Sequence, residues 1–350
     1  MASTARLKSR NAIHEFALIH TLRQQHGRHD PSVIRGIGDD AAVVTSGNGS
    51  WSLLTTDLLA EGIHFDLRTA TMADIGFRAA AANLSDIAAM GGQPQYLLVS
   101  LAIPRAGTTR LVQQLYTGMM AACRPHSVSL IGGDTSASDG GWFINITLVG
   151  TVPPRHALLR SGAKNGELLY VTGTLGDSLA GLMLLNEPTR KKQQTRAETI
   201  STRHRQFLTQ RHLRPTARVA EGRWLSATRL ATSAIDISDG LSGDLRHICE
   251  DSHVGADLDV HALPLSPACR AYAASRQLDH RALALTGGED YELLFTVSPR
   301  HKATLERTAR QQRFRITCIG TIRPSGNGIR AVASDGTTHP LPNTSYEHFR

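Results

Sequence analysis

The sequence predicts a two-domain protein that mixes helices and strands, in an α+β or α/β arrangement. Three observations carry this expectation. The chain of 350 residues is long for one domain, since domains usually run to roughly 100–200 residues. Apolar runs of strand length alternate with stretches of helical spacing. Pro153-Pro154 breaks the pattern, because neither residue can continue a ladder. The expected units are therefore 1–152 and 153–350.

The elements follow in order. "EFALIHTLRQQ" (15–25) has helical spacing. "SVIRGIGDDAAVV" (32–44) and "WSLLTTDLLAEGIHF" (51–65) are short apolar runs that stop at acidic or glycine turns. Residues 72–90 form an alanine-rich helix stopped by Gly91-Gly92. "YLLVSLAIP" (96–104) is a strand, a helix spans about 108–123, and "SVSLIGGD" (127–134) is another strand. "WFINITLVGTV" (142–152) alternates Ile144, Ile146 and Leu148 with Asn145 and Thr147, the period of a half-buried strand. Beyond the prolines, "GELLYVTG" (166–173) is a strand and "DSLAGLMLL" (177–185) a helix. "TSAIDI" (232–237) feeds a helix over 240–251, and "YELLFTV" (291–297) is another strand, following "TGGED".

Composition narrows the function. Lys and Arg number 38 against 30 Asp and Glu, a net charge of +8. A basic balance suits anionic partners, or is simply a solvated surface. Cys123, Cys249, Cys269 and Cys318 lie far apart, which speaks against a zinc site or a disulfide framework. The opening residues lack the apolar stretch of a signal peptide, and no run approaches a membrane span. A soluble cytoplasmic protein with reduced thiols is expected.

The acids are the most informative residues. Asp39-Asp40, Asp57, Asp134, Asp236 with Asp239, and Glu289-Asp290 stand where apolar runs stop, and Asp86 sits on a helix. Strand-end loops are where rigid scaffolds present functional groups. Singly, several have structural explanations: Asp39 or Asp40 as turn residues, Asp57 as a cap, Asp239 as an N-cap before Gly240. Three resist. Asp86 lies in the last turn of its helix, where the dipole disfavours an anion. Asp236 is within a strand, facing opposite to Ile235 and Ile237 and sharing its face with Ser238. Asp134 follows Gly132-Gly133, which leave room beside the backbone. Asp244 suggests only a surface or packing role. Clustered carboxylates repel one another unless a cation joins them, and hard oxygen ligands suit Mg²⁺ or Mn²⁺ rather than zinc, with Mg²⁺ usually held jointly with substrate phosphates. "GIGDDA" imitates a dinucleotide fingerprint, but its aspartates would repel a pyrophosphate, and no G-x-x-x-x-G-K-[ST] is present.

Taken together, "GIGDDAAVV", "TTDLLAEGIHF", "NLSDIAAMGG", "LIGGDT", "LLRSGAKNGELLYVTGTLGDS", "AIDISDGLSGDL" and "TGGEDYELLFTV" resemble the thiamine-monophosphate kinase family. The ordered resemblance runs from about residue 12 to "YEHF". The wider superfamily, named for aminoimidazole ribonucleotide synthetase, also holds selenophosphate synthetase and the hydrogenase-maturation dehydratase. Those siblings usually need an N-terminal Cys or selenocysteine, or a C-terminal Cys, and this chain has neither. The resemblance implies an N-terminal α+β domain that dimerises through a shared β-barrel, and a C-terminal α/β domain closing over it. It implies transfer of phosphate from ATP to thiamine monophosphate. The implied metal ligands, for several Mg²⁺ ions, are Asp40, Thr55, Thr56, Asp57, Asp86, Asp134, Asp236 and Asp239. Gly133, Asp134, Arg160 and Ser238 would contact ATP, with Tyr116 near the nucleotide. His64 and Glu289 would hold the thiamine end. The family often stacks an aromatic ring on thiamine where this chain has Asn343, so Tyr346 or another ring would have to substitute.

The chemistry needs no general base. A phosphate monoester has a second pKa near 6, so at neutral pH the acceptor is already largely ionised. The obstacle is repulsion: two unit charges 4 Å apart cost about 4 kcal/mol at an effective dielectric of 20. Direct in-line transfer, without a phosphoenzyme, follows. The rival of another class is a nucleic-acid binder built on the basic run 190–214, which carries Phe207 as its only aromatic and is expected to be a solvated loop and helix.

Overall fold

The computed structural model describes residues 15–27, 30–45, 47, 49–187, 200–342 and 346. Asn343 and residues 188–199, which include the start of the basic run, lie outside the described residues.

The first half opens with helix α1 (Glu15–His26) and builds a six-stranded sheet. Its strands are β1 (Val33–Arg35), β2 (Ala42–Thr45), β3 (Trp51–Ala60), β4 (Gln93–Pro104), β5 (Ser129–Ser138) and β6 (Phe143–Val152). They lie in the order β1-β2-β3-β6-β4-β5, antiparallel except for the parallel β4–β5 pair. The alternation read in β6 is realised: Ile144, Ile146 and Leu148 are fully buried, whereas Asn145 and Thr147 face the other side. Helix α2 (Met72–Ala89) lies on the buried face, and α3 (Thr109–Cys123) packs against α2. A capping box starts α2: Thr71 accepts the Asp74 amide and Asp74 accepts the Thr71 amide. Leu54, Leu58, Tyr96 and Phe143 stand exposed on the sheet's opposite face.

The second half is a seven-stranded sheet, ordered β13-β12-β9-β11-β7-β10-β8. Its strands are β7 (Leu168–Thr172), β8 (Ala231–Asp236), β9 (Val254–Asp259), β10 (Leu293–Val297), β11 (Ile316–Pro324), β12 (Ile329–Val332) and β13 (Thr338–Pro340). The helices are α4 (Asp177–Leu185), α5 (Thr202–Leu213), α6 (Val219–Thr228), α7 (Leu241–Ser252), α8 (Pro267–Arg276), α9 (His280–Thr286) and α10 (Lys302–Gln312). Both faces of this sheet are covered. Leu169, Val171, Ile235 and Leu294 join a core with α4, α7 and α8. Tyr170, Ala234, Leu293 and Phe295 belong to a second core that runs on into α2 and the first sheet. Helix α2 is thus buried on nearly every side, as a helix apolar all round should be.

Four expectations change. Asp57 and Asp134 do not end their strands. β3 pairs with β6 without a break from Trp51 to Ala60, and β5 pairs with β4 as far as Ser138. A side chain points away from the ladder, so a carboxylate does not stop it. Helix α5 is not simply solvated: Leu208 is fully buried, Arg211 pairs with Glu292 at 2.9 Å and Arg214 with Asp74 at 2.6 Å. Asp244 is buried at 1% exposure, and its Oδ2 accepts the Gly240 amide at 3.1 Å, which excludes a surface role.

Candidate active site

Two turns, two element ends, strand β3 and the first turn of α7 bring the acids together. Asp40 sits in the turn between β1 and β2, Asp57 within β3, Asp86 in the last turn of α2 and Asp236 at the end of β8. Asp239 and Asp244 follow in the turn and first turns of α7. Burial pushes Asp40, Asp57 and Asp236 up to about 6. Asp86 and Asp244 are raised well above the carboxylate range by burial and by their acidic neighbours. The neighbours are one another: Asp57, Asp236 and Asp40 act on Asp86, and Asp239 and Asp236 act on Asp244. Such mutual repulsion marks a concentrated negative site.

Local bonds hold these acids in place. Ser85 donates to Asp236 Oδ2 at 2.6 Å, and Thr55 donates to Asp86 Oδ2. Arg160 Nε donates to Asp40 Oδ1 at 2.9 Å, and the Arg160 amide donates to Asp39 Oδ1 at 3.1 Å. Asp40 Oδ2 is buried with no hydrogen-bond partner, so an acceptor oxygen is left over for something else. Among the described residues no three His, Cys, Asp or Glu side chains are arranged to hold a metal ion, so the acids do not form a closed protein cage.

Beside the acids runs a cleft of about 1110 Å³. Asp57, Ser238 and Asp239 line it together with His64, Glu289 and Tyr346. The turn after β8 and the turn before β10 interlock: Ser238 O accepts the Glu289 amide at 2.7 Å and Ile237 O the Tyr291 amide at 2.9 Å. A Cβ at Gly288 would lie 2.5 Å from Ser238 O, so this approach requires glycine. The Tyr346 amide donates to Asp239 O at 3.2 Å and brings the C-terminal ring to the cleft.

In the same cleft, His64 Nδ1 accepts the Ala60 amide at 3.0 Å, which leaves the imidazole proton on Nε2. Glu289 is about one-third exposed to the cleft and meets Arg78 Nη1 at 3.2 Å. Arg78 Nη2 also donates to His64 O, and Arg78 Nη1 lies 2.9 Å from His212 Nε2.

Models of the AIR synthase related protein family match the chain twice, the N-terminal domain over residues 38–152 and the C-terminal domain over residues 164–332. The thiamine-monophosphate kinase of Haemophilus influenzae is 39% identical, over 97% of this chain and 99% of that one. That of Bacillus subtilis is 36% identical, over 96% and 99%. This chain belongs to the thiamine-monophosphate kinase family. A solved structure described as AaThiL complexed with AMPPCP and TMP has a TM-score of 0.82 and 33% identity, covering 99% of this chain and 100% of that one.

The kinase-family reading of single residues meets this geometry unevenly. Thr55 and Asp57 share the face of β3 that looks toward Asp86, whereas the Thr56 hydroxyl turns to the opposite face, 3.1 Å from Ile146 O and 3.2 Å from Thr147 Oγ1. Asp134 is also on that outer face: it pairs with Ser100, is exposed, and accepts the Thr135 amide at 2.8 Å. Gly133 lies beside it on the edge strand, where a Cβ would meet Val99 O at 1.9 Å, so strand pairing alone demands this glycine. Tyr116 packs half-buried against the core from α3 and does not line the cleft. Arg78 and His212 escaped the sequence reading. Arg78 had a signal, the single cation in the alanine-rich stretch of α2, whereas His212 is hidden within a basic run.

Proposed function

We propose that this protein transfers the terminal phosphate of ATP to thiamine monophosphate, giving thiamine diphosphate, by direct in-line transfer. The observation that supports it best is the meeting of the acidic cluster with a cleft that is also lined by His64 and Glu289. The relatives' names and the AMPPCP and TMP complex of a 33% identical protein point the same way.

The donor set suits Mg²⁺: carboxylates, a threonine hydroxyl and one buried oxygen of Asp40 without a hydrogen-bond partner. Mg²⁺ usually takes one or two protein carboxylates and completes its shell with water and phosphate oxygens. Asp40, Thr55, Asp57, Asp86, Asp236 and Asp239 would hold such ions. When bound, they supply the positive charge that offsets repulsion between the two phosphates. The protein's own residues do the rest. Arg160 places a guanidinium beside Asp40, ready for a phosphate oxygen. Ser238 would contribute from the turn after β8. His64 and Glu289 would orient the heterocycle, and Tyr346, which lines the same cleft, would supply the stacking ring. No Ser-His or Cys-His pair is needed, because the acceptor is already an anion.

We further propose a homodimer through the outer face of the first sheet. Leu54, Leu58, Tyr96 and Phe143 are exposed there, and Leu130 and Ile131 on edge strand β5 are too. In that assembly Asp134 and Gly133 would face the partner copy rather than the acids of their own chain.

An ADP-release assay tests the reaction. ATP and Mg²⁺ are offered with thiamine monophosphate, thiamine, aminoimidazole precursors or selenide. Turnover with thiamine monophosphate is expected. Turnover only with another acceptor would hand the site to a sibling enzyme. A kinetically competent phosphorylated enzyme would exclude direct transfer.

A further inference from the structure

We infer that Arg78 and His212 are positioning residues for the heterocycle end of the cleft, clasping the His64 loop and the Glu289 carboxylate together across the two halves of the molecule. This deepens the kinase reading above and rests on it.

The clasp is built from five segments: α2, the His64 loop, α4, α5 and the turn that carries Glu289. Arg78 projects from α2, in the first half, and its side chain is 5% exposed. One nitrogen holds the His64 carbonyl. The other meets Glu289 Oε2 at 3.2 Å and His212 Nε2 at 2.9 Å. A guanidinium has five donors and no acceptor, so His212 Nε2 must present its lone pair. The imidazole proton is then on Nδ1, which lies 3.1 Å from Ser178 Oγ on α4 and 3.5 Å from Glu289 Oε2. Arg78 and His212 are shielded, whereas Glu289 keeps one side open to the cleft.

That asymmetry is what a ligand platform requires. A carboxylate fixed from behind and open in front suits a cationic heteroaromatic ring with amine donors. The fork geometry matters: one planar group reaches the backbone of the His64 loop and the Glu289 side chain at once. A lysine has the charge but presents a single point.

Steady-state kinetics decide the matter. In Arg78→Met and His212→Leu, KM for thiamine monophosphate should rise about tenfold or more, with kcat and KM for ATP changed less than about threefold. His212→Gln, whose amide oxygen can accept from Arg78, should restore most of the loss. In the double variant Arg78→Met/Glu289→Gln, KM should match that of Glu289→Gln alone, because the clasp acts through Glu289. Equal changes in both KM values, or an unchanged KM in folded Arg78→Met, would reduce the clasp to a structural contact. If Arg78→Met does not fold, His212→Leu and the rescue by His212→Gln decide alone. An absence of thiamine-monophosphate-dependent ADP release in the unaltered protein would refute the kinase reading instead.

Discussion

At the scale of single residues, Asp236 carries the sharpest prediction. Its carboxyl is pushed up to about 6, first by burial, so in the ion-free protein charging it is unfavourable. A raised carboxyl contributes stability that is present below the ordinary value of 3.8 and lost as pH climbs through about 6. Asp236→Asn keeps an oxygen for Ser85 and removes the charge. Turnover should fall by orders of magnitude while the ion-free melting temperature at pH 7.5 holds or rises. Near-normal activity would return Asp236 to a packing role. His212 works in the opposite direction. Burial and Arg78 hold it down to about 3, so the folded protein keeps it neutral. Its contribution is full above about 6.5 and is lost as pH falls toward 3, at up to about 1.4 kcal/mol per pH unit. Between pH 7 and pH 5 the parent should therefore lose more denaturant resistance than His212→Gln does. Parallel curves would contradict a buried neutral imidazole.

At the scale of elements, α2 joins fold to chemistry. Its first turn is fixed by the Thr71–Asp74 box, its middle carries Arg78, and its last turn carries Ser85 and Asp86. A helix whose flanks are buried on all sides cannot shift one end without moving the other. Thr71→Ala should cost about 1 kcal/mol in chemical denaturation, the usual value of an N-cap. A loss much larger than that would mean that the cap also sets the position of the site. The interlocked turns before α7 and β10 explain why "SDG" and "GGED" are needed together: each supplies backbone that the other packs on.

At the scale of the whole molecule, the acids come from both halves, so ions bound among them should cross-link the two. Adding Mg²⁺ at pH 7.5 should raise the melting temperature of the parent protein, and raise it less in Asp236→Asn. Equal shifts would place the ions elsewhere. The proposed dimer is checked by sedimentation equilibrium. A dimer is expected for the parent chain, and Leu58→Asp on the open sheet face should shift it toward monomer. A parent that sediments as a monomer would remove that proposal.

Much of this was legible in the amino-acid order. The α2 helix and the β6 alternation follow from local period and from which residues tolerate burial. The odd placement of Asp86 showed because an acid at a helix C-terminus contradicts a local electrostatic rule. Other features were not legible. That Asp57 and Asp134 sit within strands depends on the length of the partner strand, which no local pattern records. That Thr55 and Asp57 join the acids while Asp134 faces away depends on which side of the sheet α2 covers. The burial of Asp244 depends on packing, and the Arg78–His212 clasp joins residues up to 211 positions apart. By itself, the sequence determined the elements, the acid-rich chemistry and the family. Only the tertiary structure decided which acids share one site and what holds Glu289, because those are distances between segments, set by packing rather than by neighbours in the chain.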